Sequence, residues 1–172
     1  MTITVLAGDF ILADHLNALV PLVAQKSGST PCTSDTSMNA DPHLTLTFAA
    51  GTTYDFELDL LITSDSNAAG DFLCELGWTG TATVSAGVAG LINTLASGAA
   101  ADLEATGAVP DSTTPTASFV VGASTSVTKA VIRGHIVATT ASTVTLNWCQ
   151  FSSNASATNL LIGSTFIARR RS

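Results

Sequence analysis

The sequence predicts an all-β chain, an antiparallel β-sandwich of jelly-roll type, preceded by a short N-terminal arm containing a brief helix. Two observations carry this. From Leu44 onward apolar side chains recur at every second residue in run after run, the period of a strand with one face on a core and one in water. Gly, Pro, Asn, Ser and Thr separate these runs at near-regular intervals, as in sandwiches and jelly rolls. A length of 172 residues fits one domain and is enough to bury a core without disulfides. The predicted division is an arm over residues 1–29 and a sandwich over residues 30–172.

The arm differs in pattern from the rest of the chain. Met1 to Leu6 can be extended, and Gly8-Asp9 makes a turn. Asp14 to Leu22 follows with Leu16, Leu19, Val20 and Val23 at spacings near three and four, which suits a short helix. Such a segment is too short to stand alone in water. Phe10, Ile11, Leu12, Leu16, Leu19 and Leu22 are therefore the candidate anchoring residues; the alternative is that the segment pairs with its own domain as an extra strand and helix. Lys26 to Pro31 reads as a flexible link or as the lead into the first strand.

The sandwich begins with Leu44, Leu46 and Phe48 alternating with threonines. After the Ala50-Gly51 turn, Tyr54, Phe56, Leu58, Leu60 and Ile62 alternate with Asp55, Glu57 and Asp59, giving one acidic face and one core face. Phe72 to Trp78 and Thr81 to Val84 extend the pattern. Gly87 to Val109 is rich in Ala and Gly and is expected as a long loop with short extended pieces, since Gly90 and Gly98 weaken a helix there. Ser118 to Val121 is expected to form a hairpin-like pair with Val127 to Val137, whose Ala130, Ile132, Gly134 and Ile136 look inward. Thr143 to Phe151 puts Val144, Leu146, Trp148 and Gln150 on one face, and Leu160 to Ala168 closes the chain. Tyr54, Phe56, Leu58, Ile132, Ile136, Leu146 and Trp148 are the predicted core.

Charge narrows the function classes. Asp, Glu, Lys and Arg make up only 11% of the chain, and hydrophobic residues 46%, against roughly 25% charge in ordinary soluble domains. A surface so short of charge is expected to be covered, most simply by further copies of the chain. The net charge is −7, and three of the six basic residues sit together at Arg169, Arg170 and Arg171. That balance argues against a nucleic-acid partner, which needs a basic face to displace counterions from phosphates. Two long uncharged stretches, Leu76 to Ala101 and Ile136 to Ala168, are broken by Gly, Ser, Thr and Asn, so no membrane span is expected. The N-terminus shows no basic stretch leading into an apolar run, so no secretory signal is expected.

Chemistry-bearing motifs are missing. There is no G-x-S-x-G, P-loop, G-x-G-x-x-G or H-E-x-x-H. Cys32, Cys74 and Cys149 show no CxxC spacing and no zinc pattern with His15, His43 or His135, so they read as reduced, buried thiols. The row Asp55, Glu57, Asp59 reads as a solvated sheet face, and His135 beside Arg133 as exposed strand residues. Trp78 and Trp148 suit core packing better than sugar stacking. No enzyme activity, cofactor or metal is expected.

The stretch Ala130-Val-Ile-Arg133-Gly134-His-Ile136, then Thr143 to Gln150 with Trp148, then Ser156-Ala-Thr158, then Ile162-Gly163-Ser164, Phe166 and Arg169-Arg170 resembles a recurrent virion module of tailed bacteriophages, mostly those of actinobacteria. The run Ala50 to Glu57 is similar to that module's opening strand. Gly8-Asp9 with Leu16 to Leu19 is similar to the leader that often precedes it. Cys149 stands where the module usually has Ala, and Gly134 follows Arg133 directly. The resemblance implies a trimeric, tumour-necrosis-factor-like jelly roll mounted on a virion assembled in the host cytoplasm. Its implied partners are the major capsid protein or tail proteins. A head decoration or minor capsid protein is the expectation; the alternatives are a minor tail or baseplate protein and a carbohydrate-binding receptor module.

Overall fold

A computed structural model describes residues 19–65, 71–93, 105–106, 108–112 and 117–171. Among them there is no helix. Two antiparallel sheets pack face to face.

The first sheet contains β1 (Leu22–Gln25), β13 (Thr165–Arg171), β4 (Thr52–Ser64), β10 (Thr128–Ala138), β6 (Ala82–Asn93) and β8 (Ala108–Ser112), side by side in that order. The short β12 (Thr158–Leu160) pairs with β4 and with β2 (Thr30–Cys32). The second sheet runs β3 (Asn39–Phe48), β11 (Ser142–Gln150), β5 (Phe72–Thr79), β9 (Ala117–Val121) and β7 (Ala105–Thr106). Taking β1, β3, β4, β5, β9, β10, β11 and β13 as eight strands in chain order, the first sheet reads first-eighth-third-sixth. The second reads second-seventh-fourth-fifth. This interleaving is the jelly-roll order, in agreement with the expectation from the alternating runs. β6 and β8 extend the first sheet beyond the sixth strand.

The core lies between the sheets, and period-two alternation determines its members. Tyr54, Phe56, Leu58, Leu60 and Ile62 from β4 and Ile132 and Ile136 from β10 meet Leu44, Leu46, Phe48, Leu76, Val144, Leu146 and Trp148 across the gap. All seven predicted core residues are buried, at 7% exposure or less. Phe48 meets the Tyr54 ring edge-on and Phe56 meets Phe166 likewise, with centroids 4.9 and 5.8 Å apart. Trp78 packs partly buried against the same core.

Three expectations are corrected, and a fourth, the helix, lies largely outside the described residues. Ser118 to Val121 and Val127 to Val137 do not form a hairpin: β9 lies in the second sheet and β10 in the first. The chain crosses the sandwich between them because both strands have an apolar face to bury and jelly-roll order places their partners in opposite sheets. The Gly- and Ala-rich stretch from Gly87 is not a loop at its start, since β6 continues through Asn93 against β10. The helix expected over Asp14 to Leu22 has residues 14–18 outside the described residues, and at Leu22 the chain is already strand. The arm therefore does not reach residue 29: β1 pairs Leu22 with Ala168 and Gln25 with Thr165, inside the first sheet. Lys26 is no flexible link, being 1% exposed.

Candidate functional site

Where β1 ends, the backbone of Lys26 is clamped by the turn leading into β13. Its N–H donates to Ser164 O at 2.8 Å and its carbonyl accepts from Gly163 N–H at 3.0 Å. Gly163 holds a φ of 90°, in the left-handed region that suits glycine. This clamp turns the Lys26 side chain into the sandwich, where Nζ lies 2.5 Å from Asp41 Oδ2. Neither side chain has any solvent exposure.

Asp41 sits early in β3, and its carboxylate is held from several directions. Oδ1 accepts the backbone N–H groups of His43 at 2.9 Å and Leu44 at 3.2 Å. Oδ2 also accepts the Trp148 indole N–H at 3.4 Å. Lys26 Nζ in turn donates to Thr30 Oγ1 at 2.7 Å. Trp148 stacks on Phe72 on the core side, with centroids 5.2 Å apart. An ion pair out of reach of water survives only when nearly every lone pair and proton is taken up, and this network supplies that.

Beside the pair a cleft of about 360 Å³ opens, lined among others by Pro31, Cys32, Asp35, Asn39, Pro42 and Trp148. The Ser37 backbone N–H, the Ser37 hydroxyl and the Asn39 amide hold the Asp35 carboxyl below its usual range. Two thiols lie close by. Burial, with the neighbouring Cys32 thiol adding to it, pushes Cys149 up to about 11, and its Sγ is 3.7 Å from Met38 Sδ. Burial likewise raises Cys32. Among the described residues no group of three or more His, Cys, Asp or Glu gathers where a metal could sit.

The outer faces of the two sheets are chemically opposite. On the first, the acidic row of β4 is flanked by bases on both sides. Lys129 contacts Asp59 at 2.9 Å, Arg133 contacts Glu57, and Arg171 of β13 contacts Asp55 at 3.1 Å. The row thus belongs to a surface ion-pair ladder. On the second sheet the outward residues of β3, β11 and β5 include Thr45, Thr47, Thr143, Thr145, Asn147 and Gly77. Thr45 and Thr145 share a hydrogen bond at 3.0 Å across the β3–β11 ladder. Glu75 is the charged residue outward on these three strands, and its carboxylate accepts the Asn147 amide at 3.1 Å. Gly77 is small for that amide: a Cβ there would lie 2.5 Å from Asn147 Nδ2.

Of the six predicted anchoring residues, Phe10, Ile11, Leu12 and Leu16 lie outside the described residues. Leu19 is 57% exposed, while Leu22 packs against the core. Sequence reasoning missed the Lys26–Asp41 pair. One signal was available: Lys26 is the single Lys or Arg in the first 128 residues of a chain that uses charge sparingly. Comparison with protein-family models, curated proteins and solved structures finds no match to this chain.

Proposed function

We propose that this chain is a non-enzymatic structural protein of a tailed-bacteriophage virion, a homotrimeric head decoration or minor capsid protein. The observation that supports it is the division of charge between the two outer faces. A sandwich alone in water gains by spreading charge over both faces; here, among the described residues, the ion pairs of the sheet faces lie on the first sheet, while the second presents threonines. Hydroxyls and methyl groups can be covered by another copy without desolvating an ion, the costly step in burying a polar surface; Glu75 is the charged exception, and its carboxylate already accepts the Asn147 amide. The resemblance of the β10, β11 and β13 motifs to a virion module gives the reading its context.

Light scattering on the purified chain is expected to return about three times 17.4 kDa. A monomer at micromolar concentration overturns the trimer. Thr145→Arg, which puts a charge in the middle of the threonine face, is expected to give folded monomers. Quantitative mass spectrometry of virions then separates the two placements: many copies, in proportion to the major capsid protein, support the head, and a few copies per particle support the tail.

A further inference from the structure

We propose that Lys26 and Asp41 become joined by an isopeptide bond, a covalent cross-link between the end of β1 in the first sheet and the start of β3 in the second. Each component of the reaction is present. The nucleophile is Lys26 Nζ, 2.5 Å from Asp41 Oδ2 with both side chains fully buried. A carbon–oxygen bond length of about 1.23 Å then puts the carboxyl carbon within about 3.7 Å of Nζ, close to the contact distance from which attack proceeds. The backbone clamp on Lys26 and the two N–H bonds to Oδ1 keep the partners from drifting apart.

The site also divides the roles of the two carboxyl oxygens. Oδ1 faces two backbone donors, His43 N–H and Leu44 N–H, an arrangement that stabilises an oxyanion as it develops. Oδ2 faces Nζ and the Trp148 N–H, so it is the oxygen positioned to leave. One proton passes from the Nζ ammonium to Oδ2, giving a neutral amine and a neutral acid. Nζ then adds to Cγ, forming the C–N bond and placing negative charge on Oδ1. A second proton then passes from Nζ to Oδ2 along their direct contact. The Cγ–Oδ2 bond breaks, Oδ1 returns to a carbonyl, and one water departs. No oxidant, reductant or co-reactant is required.

Intact-mass measurement of the wild-type chain, denatured with its thiols reduced, is the direct test. The expected mass is one water below that of the sequence. Trypsin provides the location: Lys26 is the single tryptic site before Lys129, and an acylated Lys26 is not cleaved. The digest should therefore yield one peptide spanning residues 1–129, lighter by one water, and fragmentation should link residues 26 and 41. Lys26→Arg should restore the full mass. Asp41→Asn should lose one ammonia in place of water while forming the same bond. A wild-type chain of full sequence mass that trypsin cleaves after Lys26 overturns the proposal, whatever the variants do.

Discussion

The ammonium of Lys26 and the carboxylate of Asp41 meet at 2.5 Å inside the sandwich, each without solvent exposure. As an ion pair, before any bond joins them, the two are a commitment of the fold, since removing one partner strands the other charge away from water; where the proposed bond has formed, the same single variants lose a cross-link between the sheets instead. Lys26→Met and Asp41→Ala are each expected to lower stability by about 3–5 kcal/mol. The double variant Lys26→Met/Asp41→Leu should recover part of that loss by replacing the pair with apolar groups of similar size. Denaturation midpoints of the three proteins measure this. A double variant as unstable as the sum of the singles contradicts it.

Trp148 joins this network to the core, stacking on Phe72 and donating to Asp41. Trp148→Ala is expected to cost about 3–5 kcal/mol, the range for emptying a large buried aromatic site. Trp148→Phe keeps most of the packing and loses the hydrogen bond, so its loss should be smaller. An unchanged midpoint for Trp148→Ala would show that the ring is not packed as described.

Two glycines of the first sheet should respond oppositely. A Cβ on Gly134 would lie 2.0 Å from the Ser85 carbonyl oxygen and 2.8 Å from the Phe56 ring, whereas one on Gly87 meets nothing within 4 Å. Gly134→Ala must push β10 away from β6, and overpacking of this kind costs about 1–3 kcal/mol or more. Gly87→Ala should be tolerated. Thermal melts of the two variants side by side test the contrast.

Truncation tests where the sandwich begins. A chain starting at Leu19 keeps β1 and Lys26 and should fold. A chain starting at Thr30 loses both, uncovering β13 along its edge and leaving Asp41 buried without its cation. It is expected to unfold or to melt far lower. Circular dichroism distinguishes the outcomes, and a cooperative wild-type-like melt for the shorter chain would move the boundary back to residue 30.

The thiols give a pH dependence of definite sign. Burial lifts Cys149 from its ordinary 9.0 to about 11 and drives Cys74 strongly upward as well. A thiol that ionises more readily unfolded than folded contributes its full stability below the unfolded value. That contribution is lost as pH rises through the folded value. Stability should therefore fall between about pH 9 and 11, and Cys149→Ala should flatten part of the fall. At neutral pH, Cys74 and Cys149 should resist alkylation until the chain unfolds, since the thiolate is the reactive form.

Much of the architecture is legible residue by residue. The alternation of Tyr54, Phe56, Leu58, Leu60 and Ile62 with acids and polar residues determines β4, its core face and its wet face, because a strand's side chains must alternate. The same rule places Ile132, Ile136, Leu146 and Trp148 inside. Periodicity is local, however, and says nothing about which strand lies beside which. Only the tertiary structure seats β9 and β10 in opposite sheets, sets Lys129, Arg133 and Arg171 against the acidic row, and leaves the second sheet's face to threonine. Lys26 shows the limit most clearly. Its neighbours Ser27, Gly28 and Ser29 read as a flexible link or the lead into a strand, and local sequence offers a lysine no reason to turn inward. That reason is Asp41, which lies fifteen residues away in the chain and in the other sheet. An isolated charge loses much of its solvation on leaving water, and only a partner brought within hydrogen-bonding distance by the packed sheets can offset that cost.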